Sequence, residues 1–209
     1  MNSLFDVLIG WRQNEVSFAG DVSKMFNQIP VHPDDQKYHR LLWRDGEADR
    51  EPDVYQWVRL SFGDKPAPDL AINAINRLSD KAQVESPEAA RILKDHTYVV
   101  TSLGRRHHAP EKVKKVIDAI DTILGKGKFA IKAWHSNSPK IDQDGNDNPV
   151  SLLGHQWNKK ADSNCFEERE VLADLSYCTK RKPLGVVSEL WDPLGLMAPV
   201  TIRFRIDDL

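Results

Sequence analysis

The stretch His96-Thr97-Tyr98-Val99-Val100-Thr101-Ser102-Leu103-Gly104 decides the fold of this chain. It is a short run of β-branched and aromatic residues that ends in a glycine, and such residues suit a pleated, half-buried strand. Taken alone, the run predicts a strand in the protein core. The place of this strand in a larger sheet depends on the segments on either side of it.

The composition of the 209-residue chain is typical of a globular protein with a hydrophobic core. Hydrophobic residues make up 40% of the chain and charged residues 29%. The 29 Lys and Arg residues nearly balance the 31 Asp and Glu residues, which gives a net charge of -2. This balance argues against a surface built throughout to bind nucleic acid, but it allows a local basic stripe.

The two cysteines and the lengths of the apolar runs indicate in which cellular compartment the protein is expected. Cys165 and Cys178 lack the close spacing of a metal site, so we expect reduced thiols in an intracellular protein of the nucleus or the cytoplasm. No apolar run reaches the roughly 18 to 20 residues that span a bilayer. The N-terminus lacks the residue order of a signal peptide, so we expect no contact with a membrane.

Helices and strands mix along the chain without a strict β-α-β repeat, which predicts the α+β class. Apolar residues at helical spacing predict helices that include residues 4–11, 70–78, 87–94 and 110–125. Runs of strand-forming residues predict strands over 16–22, 38–43, 54–58, 128–134 and 150–157. Asp21 lies near the end of the first strand, where a carboxylate is either a cap or turn residue or part of a site.

Six segments support a more specific interpretation when they are taken together. They are Gly20-Asp21-Val22-Ser23-Lys24-Met25-Phe26-Asn27-Gln28-Ile29; Leu41-Leu42-Trp43-Arg44; Arg59-Leu60-Ser61-Phe62-Gly63 with Ala67-Pro68; Gly127-Lys128-Phe129-Ala130-Ile131-Lys132-Ala133-Trp134-His135-Ser136-Asn137; Leu153-Gly154-His155-Gln156-Trp157; and Thr179-Lys180-Arg181 with Trp191-Asp192-Pro193-Leu194-Gly195-Leu196-Met197-Ala198-Pro199. In this order and spacing, the segments resemble the palm and fingers motifs of reverse transcriptases from BEL/Pao-type long-terminal-repeat retrotransposons.

The resemblance implies an α+β palm, which is an antiparallel sheet backed by helices, with partial fingers and the start of a thumb. We expect one reverse-transcriptase-like domain over residues 1–209. Fingers and palm would mix over about 1–95, the palm would continue over 96–160, and 161–209 would connect the palm to the thumb. The grip on a primer–template duplex would therefore be incomplete.

The resemblance also implies that the catalytic metal site is lost. Polymerases of this family use two metal ions, and three carboxylates hold them. Asp21 matches the first carboxylate, but Val100 and Thr101 occupy the two acid positions of the Tyr-x-Asp-Asp hairpin. Valine cannot ligate a metal, and a threonine hydroxyl replaces a carboxylate poorly. We therefore expect Asp21 to be a remnant ligand, with no Mg²⁺ site, no cofactor and no polymerase activity.

Other positions match the family's nucleotide site. Phe26 matches the bulky residue that discriminates against a 2′-hydroxyl group. Phe62, Gly63 and Pro68 match the loop and helix that face the incoming nucleotide and the template. Asp64 adds negative charge to this loop, where it would repel a nucleic-acid backbone.

These features predict a catalytically inactive, domesticated pseudoenzyme that acts as a protein-interaction scaffold and has a protein partner. The alternative is a non-catalytic pseudoenzyme that binds RNA or DNA in the palm cleft. Its candidate contacts are Arg105 and Arg106 beside the hairpin, together with Lys128 and Lys132. Further basic residues are Lys112, Lys114, Lys115, Lys126, Lys159, Lys160, Lys180, Arg181 and Lys182. Each of these basic runs, including the four candidate contacts, more often forms a solvated face than a binding site.

The six tryptophans fall mostly inside the matching segments. They are Trp11, Trp43, Trp57, Trp134, Trp157 and Trp191. We expect them to lie in the core, and the alternative is that some of them stack on nucleic-acid bases.

Overall fold

The computed structural model describes residues 2–13, 15–98, 101–104, 109–146, 148–165 and 191–207. The helices are α1 (Leu4–Trp11), α2 (Pro33–Gln36), α3 (Ala67–Ala82), α4 (Pro87–Asp95), α5 (Pro110–Lys126) and α6 (Ala198–Asp207), and Phe26–Gln28 form a short 3₁₀ helix. The strands are β1 (Phe18–Val22), β2 (Arg40–Trp43), β3 (Asp53–Gln56), β4 (Thr97–Tyr98), β5 (Thr101–Gly104), β6 (Ile131–Ser136), β7 (Val150–Leu152), β8 (His155–Asn158) and β9 (Ser163–Cys165). This mixture of helices with small antiparallel sheets confirms the α+β class.

A four-stranded antiparallel sheet lies at the centre, in the order β4-β5-β1-β6. The predicted hairpin is confirmed on its described residues, since Tyr98 pairs with Thr101 across β4 and β5. Helices α3 and α4 lie between β1 and β4 in the chain, and α5 connects β5 to β6. The sheet therefore has the split β-α-β order, in which the first strand lies between the third and the fourth.

The two faces of the central sheet pack against different layers. Side chains alternate between the faces along a strand, so Phe18 and Val22 of β1 share a cluster with α3, α4 and α5. Ala19 points to the opposite face, where it packs against Trp11 of α1 and Trp157 of β8. Asp21, two residues beyond Ala19, points to this second face as well.

Trp134 of β6 holds the helix-facing layer together. Its ring meets the Phe18 ring edge to face with centroids 5.7 Å apart, and its indole N–H donates to both carboxylate oxygens of Asp121 in α5, at 3.1 and 3.2 Å. Gly20 is its partner across the strands. A Cβ atom at Gly20 would lie 2.7 Å from the Trp134 ring and 2.8 Å from Ile131, so the indole needs the glycine to reach this position.

A second, three-stranded sheet covers part of the other face, in the order β7-β8-β9. The Trp157 ring of β8 meets the Trp11 ring of α1 edge to face, with centroids 4.7 Å apart. The Arg12 guanidinium, next to α1, pairs with the Asp162 carboxylate at 2.5 Å. These contacts join the N-terminal helix to a sheet that lies about 150 residues further along the chain.

Two predicted elements are wrong in detail. The predicted single strand over 150–157 is a hairpin, because Leu153 and Gly154 both adopt positive φ angles, of 49° and 85°, as a tight two-residue turn requires. Helix α5 continues past Gly125 to Lys126, and Gly127 caps it. Within the described ranges, no helix is both long and apolar enough to cross a membrane.

The prediction that all six tryptophans lie in the core is correct for three of them. Trp11, Trp134 and Trp157 are buried. The other three are exposed: Trp43, Trp57 and Trp191. Trp191 covers the β7–β8 turn and donates its indole N–H to the Leu153 carbonyl at 2.8 Å.

A buried ion pair fixes the loop that follows β6. Lys159, which follows β8, is 7% exposed and lies 2.7 Å from the Asp142 carboxylate, which is 9% exposed. Asp142 also accepts backbone N–H groups from Ser136 and Gly145. Burial by itself raises the pKa of Asp142, but the hydrogen bond and charge of Lys159, together with the two backbone N–H groups, outweigh it, and the pKa lies below its usual value.

Substitution of Gly20 by Ala should destabilise the fold, because the new methyl group overlaps the Trp134 ring. We expect a loss of about 1–3 kcal/mol in the free energy of unfolding, measured by chemical denaturation. Gly125→Ala is the matched control. Gly125 lies in α5 with open space around it, so the same change there should stabilise the fold by about 0.5–1 kcal/mol. Equal stability of the two variants would contradict the packing described for Trp134.

Substitution of Lys159 by Met should leave the Asp142 charge buried without its cation. We expect a loss of about 3–5 kcal/mol at pH 7, measured by chemical denaturation. Because the folded-state pKa of Asp142 is depressed, its contribution is present above the usual carboxyl pKa and is lost as the pH falls through the folded value. The difference between wild type and Lys159→Met should therefore narrow below about pH 4. The exposed pair Lys140–Glu111 provides the control, and a loss no larger than that of Lys140→Met would contradict this role.

Candidate functional site

The first candidate position, Asp21, lies directly opposite Thr101 in the central sheet. The Thr101 hydroxyl donates a hydrogen bond of 2.6 Å to Oδ1 of Asp21. Thr101 is 4% exposed, and Asp21 is partly buried at the edge of the same face. The sheet thus brings one carboxylate together with a hydroxyl on the adjacent strand.

A β-bulge lies beside Asp21 on its other neighbour, β6. Gly20 pairs with Trp134 and Val22 pairs with Ile131, so two residues of β6, Lys132 and Ala133, oppose Asp21 alone. Bulges of this kind are common next to functional sites, where they change the direction of a side chain. Asp21, Thr101 and the bulge therefore form one group on the sheet, which we call the Asp21 site.

The donor set of the Asp21 site does not fit a two-metal centre. Asp21 supplies the carboxylate of this site, and one of its two oxygens accepts the hydrogen bond from the Thr101 hydroxyl. Among the described residues, no group of three or more His, Cys, Asp or Glu side chains could hold a metal ion. Val100 lies outside the described residues. Asp95, the nearest acid before the hairpin, is the last residue of α4 and not part of the strand.

The candidate nucleotide-site residues form a separate aromatic group. Phe26, in the 3₁₀ helix, is buried, and the Phe62 ring meets it edge to face with centroids 5.2 Å apart. Phe62 itself is 71% exposed. Gly63 has a φ of 91°, which turns the loop, and Pro68 is the second residue of α3.

Asp64 stabilises the loop that carries Phe62. Its carboxylate accepts the Ser61 backbone N–H at 3.2 Å and lies 3.5 Å from Nδ1 of His39. The side chain is 23% exposed. The Asp64 carboxylate therefore interacts with groups of the protein itself. This stabilising role is simpler than the predicted repulsion of a nucleic-acid backbone.

The candidate basic residues do not all belong to one surface. Arg105 and Arg106 lie outside the described residues. Lys128 and Lys132 are exposed, the first in the turn after α5 and the second in the bulge. Lys159, which the sequence places among the basic runs, is buried in its ion pair with Asp142 and is not a surface cation.

The sequence interpretation missed an exposed aromatic surface on the β2–β3 hairpin. A cavity of about 440 Å³ is lined by Leu41, Trp43, Tyr55, Gln56 and Trp57. The signal was present in the sequence, since Leu41 and Trp43 alternate along one strand and Tyr55 and Trp57 along the next. Alternation alone does not say whether another layer covers the face, and the prediction that Trp43 and Trp57 lie in the core is wrong for this reason.

Replacement of Thr101 by Val should remove the hydrogen bond to Asp21 while keeping the shape of the side chain. We expect a loss of about 1.5 kcal/mol in unfolding free energy, because the acceptor is a carboxylate in a partly buried position. Thr122→Val is the control, since the Thr122 hydroxyl bonds a backbone carbonyl on the exposed side of α5 and its removal should cost little. Chemical denaturation of both variants measures the difference. Equal losses would mean that the Thr101 hydroxyl does not stabilise Asp21.

Comparison with known proteins adds no assignment to this geometry. The chain matches no protein-family model, and no curated protein sequence matches it significantly. Conclusions about function therefore depend on the residues of the Asp21 site and on the surfaces described above.

Proposed function

We propose that this chain is a catalytically inactive, reverse-transcriptase-like domain that acts as a protein-interaction scaffold. In this proposal the central sheet with α3, α4 and α5 corresponds to a palm, and the β2–β3 hairpin corresponds to part of the fingers. The Asp21 site corresponds to the former metal centre. The domain would serve by presenting surfaces to a protein partner rather than by chemistry.

The observation that carries the proposal is the pairing of Asp21 with Thr101. A polymerase palm needs carboxylates on two adjacent strands that converge on the same ions. Here adjacent strands do converge, because Thr101 faces Asp21 across the sheet. The second position donates a hydroxyl hydrogen to the remaining carboxylate, so one oxygen of that carboxylate has a hydrogen-bond donor where a metal ligand would need a cation. The arrangement supports descent from a metal site together with loss of its chemistry.

The layer arrangement supports the same proposal. The resemblance implies an antiparallel sheet whose first strand carries an acid and whose hairpin lies next to it. The order β4-β5-β1-β6 places the hairpin strand β5 beside β1. The helices α3 to α5 pack on one face, so Asp21 and Thr101 lie on the other face.

A protein partner is favoured over nucleic acid by the surface of the β2–β3 hairpin. Three aromatic side chains that are 43–54% exposed share one face of the hairpin and line the cavity of about 440 Å³: Trp43, Tyr55 and Trp57. Contiguous apolar surface of this kind marks interaction sites in soluble proteins. The neighbouring loop of residues 44–53 carries five acids and two arginines, and this negative charge repels phosphates.

Binding of RNA or DNA is retained as a second candidate because of one observation. Trp43, Tyr55 and Trp57 are exposed together, and exposed aromatic rings can stack on unpaired bases. Lys132 in the bulge is an exposed cation beside Asp21. Binding of this kind should weaken steeply as the salt concentration rises.

Affinity capture of the full chain from cell extract, followed by mass spectrometry, tests the proposal with ribonuclease treatment in parallel. We expect protein partners that survive ribonuclease, because contacts through apolar side chains need no RNA bridge. The control is Asp21→Ala, which should capture the same partners, since no chemistry at Asp21 is involved.

Two outcomes would contradict the proposal. Partners that all disappear with ribonuclease would favour the nucleic-acid binder. Metal-dependent addition of nucleotides to a primer–template by the purified chain, abolished in Asp21→Ala, would show that the domain is an active polymerase.

A further inference from the structure

The β2–β3 hairpin is a two-stranded sheet with an uncovered apolar face. Leu41 and Trp43 of β2, with Tyr55 of β3 and Trp57 just beyond it, line the cavity of about 440 Å³, and we call this set the aromatic face. Trp43 is 54% exposed and Tyr55 is 49% exposed. A two-stranded hairpin is only marginally stable in water, whereas a third strand or a packed layer makes it stable.

The outer edge of β2 has backbone groups that point away from the hairpin. The strands pair so that Leu41 lies opposite Tyr55 and Leu42 opposite Val54. The Trp57 N–H donates to the His39 carbonyl at 2.8 Å. Hydrogen-bonded and non-hydrogen-bonded pairs alternate along an antiparallel ladder. Because His39 is hydrogen-bonded to Trp57, Leu41 and Trp43 also direct their backbone groups toward β3. The N–H and C=O groups of Arg40 and Leu42 therefore face outward.

The two edges of the hairpin differ in whether their backbone groups are hydrogen-bonded to other parts of the described chain. On the β3 side, the Val58 carbonyl accepts the Val31 N–H at 3.1 Å, so that edge is partly paired. On the β2 side, the strand pairings of the described chain include β3 alone. The edge at Arg40 and Leu42 is therefore the one able to accept another strand.

The tip of the hairpin, residues 44–53, is acidic. It has five acids, namely Asp45, Glu47, Asp49, Glu51 and Asp53, and two bases, Arg44 and Arg50, for a net charge of -3. Both arginines are engaged inside the loop. Arg50 pairs with Asp45 and Asp53, and Arg44 donates to the Ala48 carbonyl. The tip therefore presents negative charge to whatever lies beside the β2 edge.

We propose that the β2 edge binds an extended segment of a partner protein as a third, antiparallel strand. This inference rests on the proposed function in that it takes a protein as the partner. The segment has bulky apolar side chains at alternate positions, which fill the aromatic face. Because β2 runs toward the tip, the N-terminal end of an antiparallel segment lies beside the acids, and Lys or Arg residues at that end complement their charge. Strand addition of this kind combines backbone hydrogen bonds with pockets for alternate side chains.

Selection of a displayed random-peptide library on the immobilised full chain tests this inference. We expect enriched peptides that alternate bulky apolar residues and carry Lys or Arg near their N-terminal end. Leu42→Pro removes an outward N–H and leaves the hairpin ladder intact, because edge strands tolerate proline at such positions. It should weaken binding of a selected peptide about tenfold. The control is Leu42→Thr, which keeps the N–H and should bind nearly as well as wild type.

The attraction between the acidic tip and the basic end of the peptide is tested separately with Glu51→Lys, which reverses one charge at the tip. This variant should weaken binding of the basic peptide severalfold at low salt, and the difference should shrink as the salt concentration rises. Asp118→Lys is the control, because Asp118 is exposed on α5, away from the hairpin in the fold. Equal effects of the two reversals would overturn the assignment of the basic end to the tip.

Four further results would overturn the inference. Selected peptides that bind Leu42→Pro as tightly as wild type would show that the β2 edge is not used. A dimer of the chain in sedimentation experiments that Leu42→Pro abolishes would make a second copy the occupant. Binding of a single-stranded RNA oligonucleotide that Trp57→Ser abolishes would make the aromatic face a nucleic-acid site. If ribonuclease-resistant partners remain on Leu42→Pro, the inference fails while the proposed function stands; if no such partner exists for wild type, the proposed function fails.

Discussion

The contact between the Trp134 indole and the bare backbone of Gly20 is the constraint on which the central layer depends. The indole reaches the middle of the sheet only because Gly20 has no side chain. From that position it packs against Phe18 and donates to Asp121 of α5, so one side chain joins β6, β1 and a helix. Asp21 follows Gly20 immediately, and the bulge on β6 begins where this contact ends. The packing of the core and the position of the candidate site are therefore set by neighbouring residues of one strand.

Sequence patterns predict most of the elements here, because the strongly periodic segments are also the buried ones. The stripe Val113, Val116, Ile117, Ile120 and Leu124 is buried in α5 as its spacing predicts. The residues on either side of the turn, such as Tyr98 and Thr101, suit strands, but they predict one strand, and the hairpin that pairs them was implied by the resemblance. Errors arise where the backbone conformation of one residue decides the outcome. Leu153 adopts a positive φ angle, which a leucine rarely does and which no local pattern announces, so a hairpin is mistaken for a strand.

The candidate site shows a different limit of sequence reasoning. Val100 and Thr101 can be compared with a Tyr-x-Asp-Asp pattern from the sequence alone. The hydrogen bond between Thr101 and Asp21 cannot be predicted in this way, because it depends on the register between β1 and β5. A shift of one residue would move Thr101 to the opposite face. Burial is likewise a property of the whole fold. Lys159 belongs to a basic run in the sequence, yet it is buried beside Asp142, while Trp43 and Trp57 are apolar and exposed because no described layer covers their face.

The hydrogen bond at Asp21 and the excess of acids at the tip of the β2–β3 hairpin have related consequences. The position opposite Asp21 holds a hydroxyl that donates to the Asp21 carboxylate, whereas a second carboxylate there would repel it. The acids at the tip of the β2–β3 hairpin are not relieved in the same way, because the loop has five acids for its two arginines. An unpaired strand edge can pair with a strand of another molecule. The negative charge of the tip beside this edge repels the acidic tip of a second copy of the chain, and it repels a phosphate backbone in the same way. The ligand that suits both features is therefore an extended segment of a protein, because its backbone can pair with the β2 edge and its basic residues can complement the charge of the tip.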